Sequence, residues 1–265
     1  MTYFIENRDF GLDAAMGVLS GLESYNKFGH APNGLQQTIT DMWERANSTP
    51  TQQIWLAPTA ARIHTLQSNS VNDTTGGTGT NEVKVSYLPD WNSKEVTELV
   101  IGNLNAGIAM QNAAVIINRM EAFAQASTTA VGVNAGIITA TAATDGTVTA
   151  LIGAGEGQTQ QAIIGIPSIM EAYIYRWQVQ INKALGTVTS ASFDIRVNTR
   201  PHINTIAFTV KDNLAVQSTG RSSSEKYHGL KKKFTGPCII KIQGTASADD
   251  VDANSDFDLI LKDIR

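Results

Sequence analysis

The 265 residues carry 20 Lys and Arg against 24 Asp and Glu, a formal net charge of -4, with 42% hydrophobic and 17% charged residues. A chain of this length buries a self-sufficient core as one large or two modest domains, and its weak negative charge provides no global field to attract DNA or an anionic membrane. No segment approaches the roughly 20 apolar residues that span a bilayer, and a single cysteine, Cys238, excludes an internal disulfide framework.

The opening run, Met1-Thr2-Tyr3-Phe4-Ile5-Glu6-Asn7-Arg8-Asp9, lacks the basic start and long apolar stretch of a secretory signal, so synthesis in a cytoplasm is expected. Residues 1–35 are expected to form an N-terminal arm, either a weak helix or extended, because Leu12, Met16, Leu19 and Leu22 recur at helical spacing while Gly17 and Gly21 weaken a helix. From Thr38 onward period-two alternation takes over. Strands are expected at Val83-Val85-Tyr87, Phe193-Ile195-Val197, Ile206-Phe208-Val210, Cys238-Ile240-Ile242 and Phe257-Leu259-Leu261. The longest alternation, Tyr173, Tyr175, Trp177, Val179 and Ile181, predicts one half-buried strand with all five side chains in the core. Ile138, Ala140 and Ala142, then Val148, Ala150 and Ile152, flank Asp145-Gly146, which predicts a hairpin closed by a two-residue turn.

Short strands without long amphipathic helices between them predict an all-β fold: an antiparallel β-sandwich, jelly-roll-like, as one or two packed sandwiches with an N-terminal arm. The expected division is an arm at 1–35, a first β-part at 36–125 and a second at 126–265, with the Ala/Thr/Gly-rich stretch from Gln125 to Gly136 as linker or long loop.

No motif carries chemistry. His30, His64, His202 and His228 show no ligand spacing, Cys238 sits in an apolar run as a buried thiol, and Ser222-Ser223-Ser224 has nothing to hold a nucleophile. The Asn72 to Thr80 loop lacks a P-loop lysine, and Gly153-Ala154-Gly155-Glu156-Gly157 lacks the helix of a dinucleotide site, so both read as turns. Asn47-Ser48-Thr49 and Asn72-Asp73-Thr74 match a glycosylation sequon and also read as turn residues. Asp249-Asp250-Val251-Asp252-Ala253-Asn254-Ser255-Asp256 imitates the start of a calcium loop, but Ser255 replaces its glycine and Leu261 its closing Glu, leaving an acidic hairpin loop. Lys226, His228 and Lys231-Lys232-Lys233 read as a solvated basic face. The expectation is a protein with no catalytic, metal or cofactor site, and not an enzyme.

Several runs then carry a resemblance: Asn26-Lys27-Phe28-Gly29-His30-Ala31-Pro32-Asn33, Asp41-Met42-Trp43, Ser68-Asn69-Ser70-Val71-Asn72-Asp73-Thr74 through Gly76-Gly77-Thr78-Gly79, and Asp90-Trp91-Asn92. They continue with Thr97-Glu98-Leu99-Val100-Ile101-Gly102-Asn103, Ile117-Asn118-Arg119, Asn134-Ala135-Gly136-Ile137-Ile138-Thr139-Ala140 and Gly157-Gln158-Thr159-Gln160-Gln161-Ala162-Ile163, leading to Pro167 and Ala172-Tyr173-Ile174. The series resembles a widespread family of tailed-bacteriophage virion structural proteins and covers about residues 25 to 200. The resemblance implies a virion component made in the host cytoplasm, a homo-oligomer with a trimer favoured by the symmetry of a shell, whose partners are other virion proteins such as the major capsid protein, with no nucleic acid and no membrane. Two addresses stay open: a capsid-associated decoration, cement or head-fibre protein, or a tail, collar or fibre component contacting the host surface. The acidic run leaves calcium binding open as well.

Overall fold

The computed structural model describes residues 13–14, 16–44, 52–123, 133–182, 190–203, 207–217 and 222–264. These residues are almost entirely β. In chain order the strands are β1 (Leu22–Leu35), β2 (Thr40–Asp41), β3 (His64–Ser68), β4 (Glu82–Leu88), β5 (Val96–Ile101), β6 (Ile108–Ala109), β7 (Ile116–Phe123), β8 (Ile138–Ala142) and β9 (Val148–Ile152). There follow β10 (Ile163–Ile166), β11 (Met170–Asn182), β12 (Ser190–Asn198), β13 (Thr209–Gln217), β14 (Ser222–Thr235), β15 (Cys238–Ala246) and β16 (Val251–Asp263).

Two sandwiches form. In the larger, a four-stranded sheet ordered β1-β16-β11-β14 packs on a five-stranded sheet whose path is β10-β15-β12-β13, with β2 also on β15. Both faces meet in one apolar cluster that includes Trp177, Val179, Phe257 and Leu259 from the first sheet and Phe193, Ile195, Ile240 and Ile242 from the second. Leaving aside the short β2, each link between successive strands of this sandwich crosses to the other sheet except β12 to β13. The smaller sandwich pairs β6-β3-β8-β9 with β5-β4-β7 around Leu66, Val83, Val85, Tyr87, Ile117, Met120 and Ile138. Leu88, Val115 and Ile116 leave it to join the larger cluster.

The smaller sandwich is nested in the larger one. β2 and β10 both pair with β15, at Gln243↔Asp41 and Gly244↔Thr40 and then from Lys241↔Ile163 to Cys238↔Ile166, so together they make one interrupted strand along the same edge. The break is stitched by three backbone bonds: Met42 N to Ile242 O at 3.0 Å, Ile242 N to Ala162 O at 3.1 Å, and Ala162 N to Met42 O at 2.9 Å. The chain therefore divides by nesting. β7 and β8, on either side of the expected boundary at 125/126, belong to the same small sandwich, and residues 124–132 lie outside the described residues.

The arm is also shorter than expected. Leu12 lies outside the described residues, Met16 and Val18 are exposed, and from Leu22 the chain is a full strand paired with β16 from Leu22↔Lys262 to Ala31↔Ala253. Alternation explains it: Lys27, Gly29 and Ala31 face inward and are buried while Asn26 is exposed, a period of two that overrides the helical spacing ahead of it.

The strands at Val83, Phe193, Cys238 and Phe257 stand where alternation puts them. Three details differ. Ile206 is outside the described residues, Phe208 precedes β13 and packs part-buried against the core, and Val210 is half exposed on β13, an edge strand, so the expected alternation buries only part of that run. The hairpin of β8 and β9 turns through residues 143–147, a longer loop than two residues, with positive φ at Thr144 and Gly146. Asp145 is occupied elsewhere, accepting from Thr59 N at 2.8 Å and from Arg62 Nε at 3.2 Å. Lastly, β11 carries a bulge at Tyr175: Ile174 pairs with Leu259 and Arg176 with Asp258, so Tyr175 is the inserted residue. One inserted residue reverses the facing of everything before it. Trp177, Val179 and Ile181 are in the core, whereas Ala172 and Ile174 replace Tyr173 and Tyr175, which are half-buried and outside the cluster.

The bulge makes a measurable distinction. Trp177→Ala is expected to destabilise by about 3–5 kcal/mol, and Tyr175→Ala by under about 1 kcal/mol, in chemical denaturation; equal losses would mean that the alternation runs unbroken.

Candidate functional site

The junction of the two sandwiches concentrates the buried polar groups. Lys27 takes an inward position on β1 and is 2% exposed. Its Nζ donates to the main-chain carbonyl of Asn118 on β7. There Ser86 pairs with Arg119 and Tyr87 with Ile117, so Asn118 sits in a bulge, and its carboxamide is held at both ends. Oδ1 accepts from Gly165 N on β10 at 2.8 Å, and Nδ2 donates to Glu95 Oε2 at 2.6 Å. Glu95 also accepts from Tyr25 Oη at 3.4 Å, while the Arg119 guanidinium lies 5.4 Å from the Tyr25 ring centre and donates to Asn26 O at 2.7 Å. Burial, helped by the charge of Arg119 and opposed by Glu95, lowers the Lys27 ammonium to about 7. Burial and then Glu95 raise the Tyr25 phenol.

A second joint organises the Gly/Thr loop. Asp73 is fully buried and accepts from Ser68 Oγ at 2.5 Å, Thr80 N at 3.0 Å, Ala135 N at 2.7 Å and Gly136 N at 2.9 Å. A Cβ on Gly79 would lie 2.0 Å from Asp73 Oδ1, so only glycine lets the loop close on the carboxylate. Two of the sequence runs, Ser68 to Gly79 and Asn134 to Ala140, thus meet at one side chain.

A third joint holds the turn at 153–157. Glu44 accepts from Gly153 N at 2.9 Å, and a Cβ at Gly153 would approach Glu44 Oε1 to 2.3 Å. Burial raises the Glu44 carboxyl to about 7, Gly153 N opposes, and Glu156 adds to the rise while His30 and Gln160 lower it. His30 Nε2 lies 3.1 Å from Asp252 Oδ1, and that hydrogen bond raises the imidazole against burial.

The residues considered from sequence stay apart. His64 is buried against Arg62 O at 3.0 Å, His202 is exposed in a turn, and His228 lies 3.2 Å from Asp212. Burial pushes the Cys238 thiol up to about 12. The acidic run is mostly strand: β16 begins at Val251 and only residues 247–250 turn, with Asp249 accepting from Gln37 N at 2.9 Å and Asp250 from Gln36 Nε2 at 3.1 Å. The expected acidic loop is corrected accordingly. Asp252, Asn254 and Asp256 occupy alternate positions of a strand, roughly 7 Å apart, and Asp256 and Asp258 pair with Arg176 at 2.8 and 2.9 Å. The basic run is likewise engaged, with Lys226 and Lys232 at 2.6 and 3.2 Å from Asp212 on β13, and Lys233 paired with Glu171. Burial pushes the Asp212 carboxyl up, but hydrogen bonds from Lys226, Lys232 and Asn213 N outweigh it and hold it below the usual range. Asn47-Ser48-Thr49 lies outside the described residues. Among the described residues no group of three or more His, Cys, Asp and Glu could hold a metal, and no helix is long and apolar enough to cross a membrane.

Sequence reasoning passed over Lys27, Glu95 and Asn118. The available signal was a lysine in the inward phase of Lys27, Gly29 and Ala31.

No known protein family and no curated protein matches the chain. Among solved structures it is similar to the T13 viral particle of infectious bursal disease virus, IBDV, at 8% identity and TM-score 0.19, covering 91% of this chain and 68% of the other. It is also similar to that virus's VP2 subviral particle at 8% identity and TM-score 0.14, covering 92% and 81%, and to its Gx strain at 10% and 0.18, covering 91% and 70%.

Two outcomes test the joints. Asp73→Ala strands several buried donors and is expected to lower stability by about 3 kcal/mol or more in urea unfolding. Glu44 has a folded pKa above its unfolded one, so its stabilising contribution is complete below the usual carboxylate range and is lost as pH rises through about 7. Glu44→Gln should therefore match the parent near pH 4 and unfold at a higher denaturant concentration at pH 8; a constant difference across that range would refute the assignment.

Proposed function

We propose that the chain is a non-catalytic structural protein of a virus particle, most specifically a capsid-associated decoration, cement or head-fibre protein of a tailed bacteriophage. One observation carries the reading: the wiring of the larger sandwich. Orders β1-β16-β11-β14 and β10-β15-β12-β13, with every link but one crossing between sheets, are those of a double Greek key. We read this as a jelly roll, an architecture that recurs in viral capsid proteins, lectin domains and cupins. The runs that resemble phage virion proteins choose among those three, and they supply structural joints: Lys27, Asp73, Asn118 and Gly136 all come from them. Self-association as a homotrimer and binding to a major capsid protein complete the proposal.

A second reading, a tail, collar or fibre component, is favoured by the bulge at Tyr175. It leaves Tyr173 and Tyr175 half-buried outside the core, where aromatic side chains could stack on a host glycan.

Quantitative mass spectrometry of purified particles decides between them. Copy numbers comparable with those of the shell protein are expected; a number comparable with a tail component would overturn the capsid address, and absence from the particle would overturn both. Analytical ultracentrifugation of the purified chain should find a trimer.

A further inference from the structure

We propose that Lys27 and Asn118 become covalently joined, by attack of Lys27 Nζ on Asn118 Cγ to form an intramolecular isopeptide bond that ties β1 of the larger sandwich to β7 of the smaller. The inference is independent of the particle assignment.

The arrangement contains what the reaction needs. The nucleophile and the amide are both out of water, at 2% and 1% exposure. Nζ already donates to the main-chain carbonyl of Asn118, so the amine stands against the residue whose carboxamide it would attack. A lysine amine attacks only when neutral; burial and the neighbouring Arg119 charge favour that form, with half of it deprotonated near pH 7. The carboxamide is presented rigidly. Gly165 N donates to Oδ1 at 2.8 Å, on the atom where negative charge would gather as the carbonyl becomes tetrahedral, which makes this N–H a preorganised oxyanion donor. At the other end Glu95 Oε2 accepts from Nδ2 at 2.6 Å, on the nitrogen that must leave.

The step balances without a co-reactant. The Nζ lone pair forms the Nζ–Cγ bond, and the carbonyl π pair moves to Oδ1. Glu95 takes a proton from Nζ and delivers it to Nδ2. The Oδ1 pair then re-forms the carbonyl as the Cγ–Nδ2 bond breaks, and one ammonia is released. Lysine amine and asparagine amide become a secondary amide, with no oxidant or reductant. Glu95 acts by geometry and proton transfer, and its second partner, Tyr25 Oη, keeps it aimed into the junction.

Intact-mass measurement of the full, folded chain tests this directly. The expected mass is lower than the sequence mass by one ammonia, and digestion should give a branched peptide linking Lys27 to Asn118. Lys27→Met, which keeps the length and apolar stem of the side chain, should restore the full mass. Glu95→Gln should remain largely unlinked while still folded by circular dichroism. A folded wild-type chain at the full sequence mass would overturn the proposal. So would an ammonia loss that persists in Lys27→Met, since a cyclic imide at an asparagine also loses ammonia but needs no lysine. Linkage in Glu95→Gln equal to wild type would overturn the role of Glu95.

Discussion

Antiparallel pairing of β1 with β16 is the constraint on which the rest of the molecule depends. It joins Leu22 to Lys262 and Ala31 to Ala253, so the first described strand closes on the last one. Every other strand lies between them in the chain. The larger sheet pair cannot complete until the far end is present, and apart from the β12–β13 hairpin its pairings join strands distant in the chain, which is the arrangement that folds slowly because chain entropy is lost before the contacts are gained. The nested sandwich relieves part of this. Its strands from β3 to β9 pair among themselves, at shorter separations, and leave and re-enter beside the same strand β15.

Nesting creates a second constraint, because the broken edge strand has to be held in register. The buried pair of Asp41 and Lys241 does this at 2.8 Å, beside the break. Asp41 is fully buried and also accepts from Trp55 N at 2.7 Å, and Trp55 Nε1 donates to Thr149 O on β9 at 2.8 Å. Burial raises the Asp41 carboxyl even against the opposing charge of Lys241. Such a pair adds little net stability compared with apolar packing, but removing one partner leaves an uncompensated charge at a penalty of about 3–5 kcal/mol. An apolar edge would tolerate a slip of β2 along β15; a slipped Asp41 would lose its cation and its backbone donor together.

The fold was legible where one rule acts alone. Alternation located β4, β12 and β16, because each has one face turned to the core and a period of two, and it also located β15, which is buried on both faces. It misplaced Tyr173 and Tyr175, since a bulge is one residue of backbone geometry and leaves the composition of the strand unchanged. The Asp145-Gly146 pair marked a hairpin, but Asp145 had a competing use in binding Thr59 and Arg62, which are far away in sequence. The arm was misjudged because helical spacing around Met16 was weighed against glycine alone, not against the strand that β16 offers as a partner. The junction was illegible for a similar reason: Glu95 and Asn118 are ordinary polar residues until the nesting brings them against Lys27.

The short runs that stood out in the sequence are those where the structure leaves no substitute. An inward strand position accepts any apolar side chain of suitable volume, usually at under about 1.5 kcal/mol. Gly79 and Gly153 have carboxylate oxygens where a Cβ would stand, and Asp73 receives four donors from three separate stretches of chain. Asn118 must accept from one sandwich and donate to a carboxylate from the other. Each of these requirements is geometric and directional, so it selects a residue type, whereas burial selects only a class. Motif runs in a fold of this kind therefore mark the joints between sheets, and a resemblance carried by them is evidence about how the sandwiches are nested before it is evidence about what they bind.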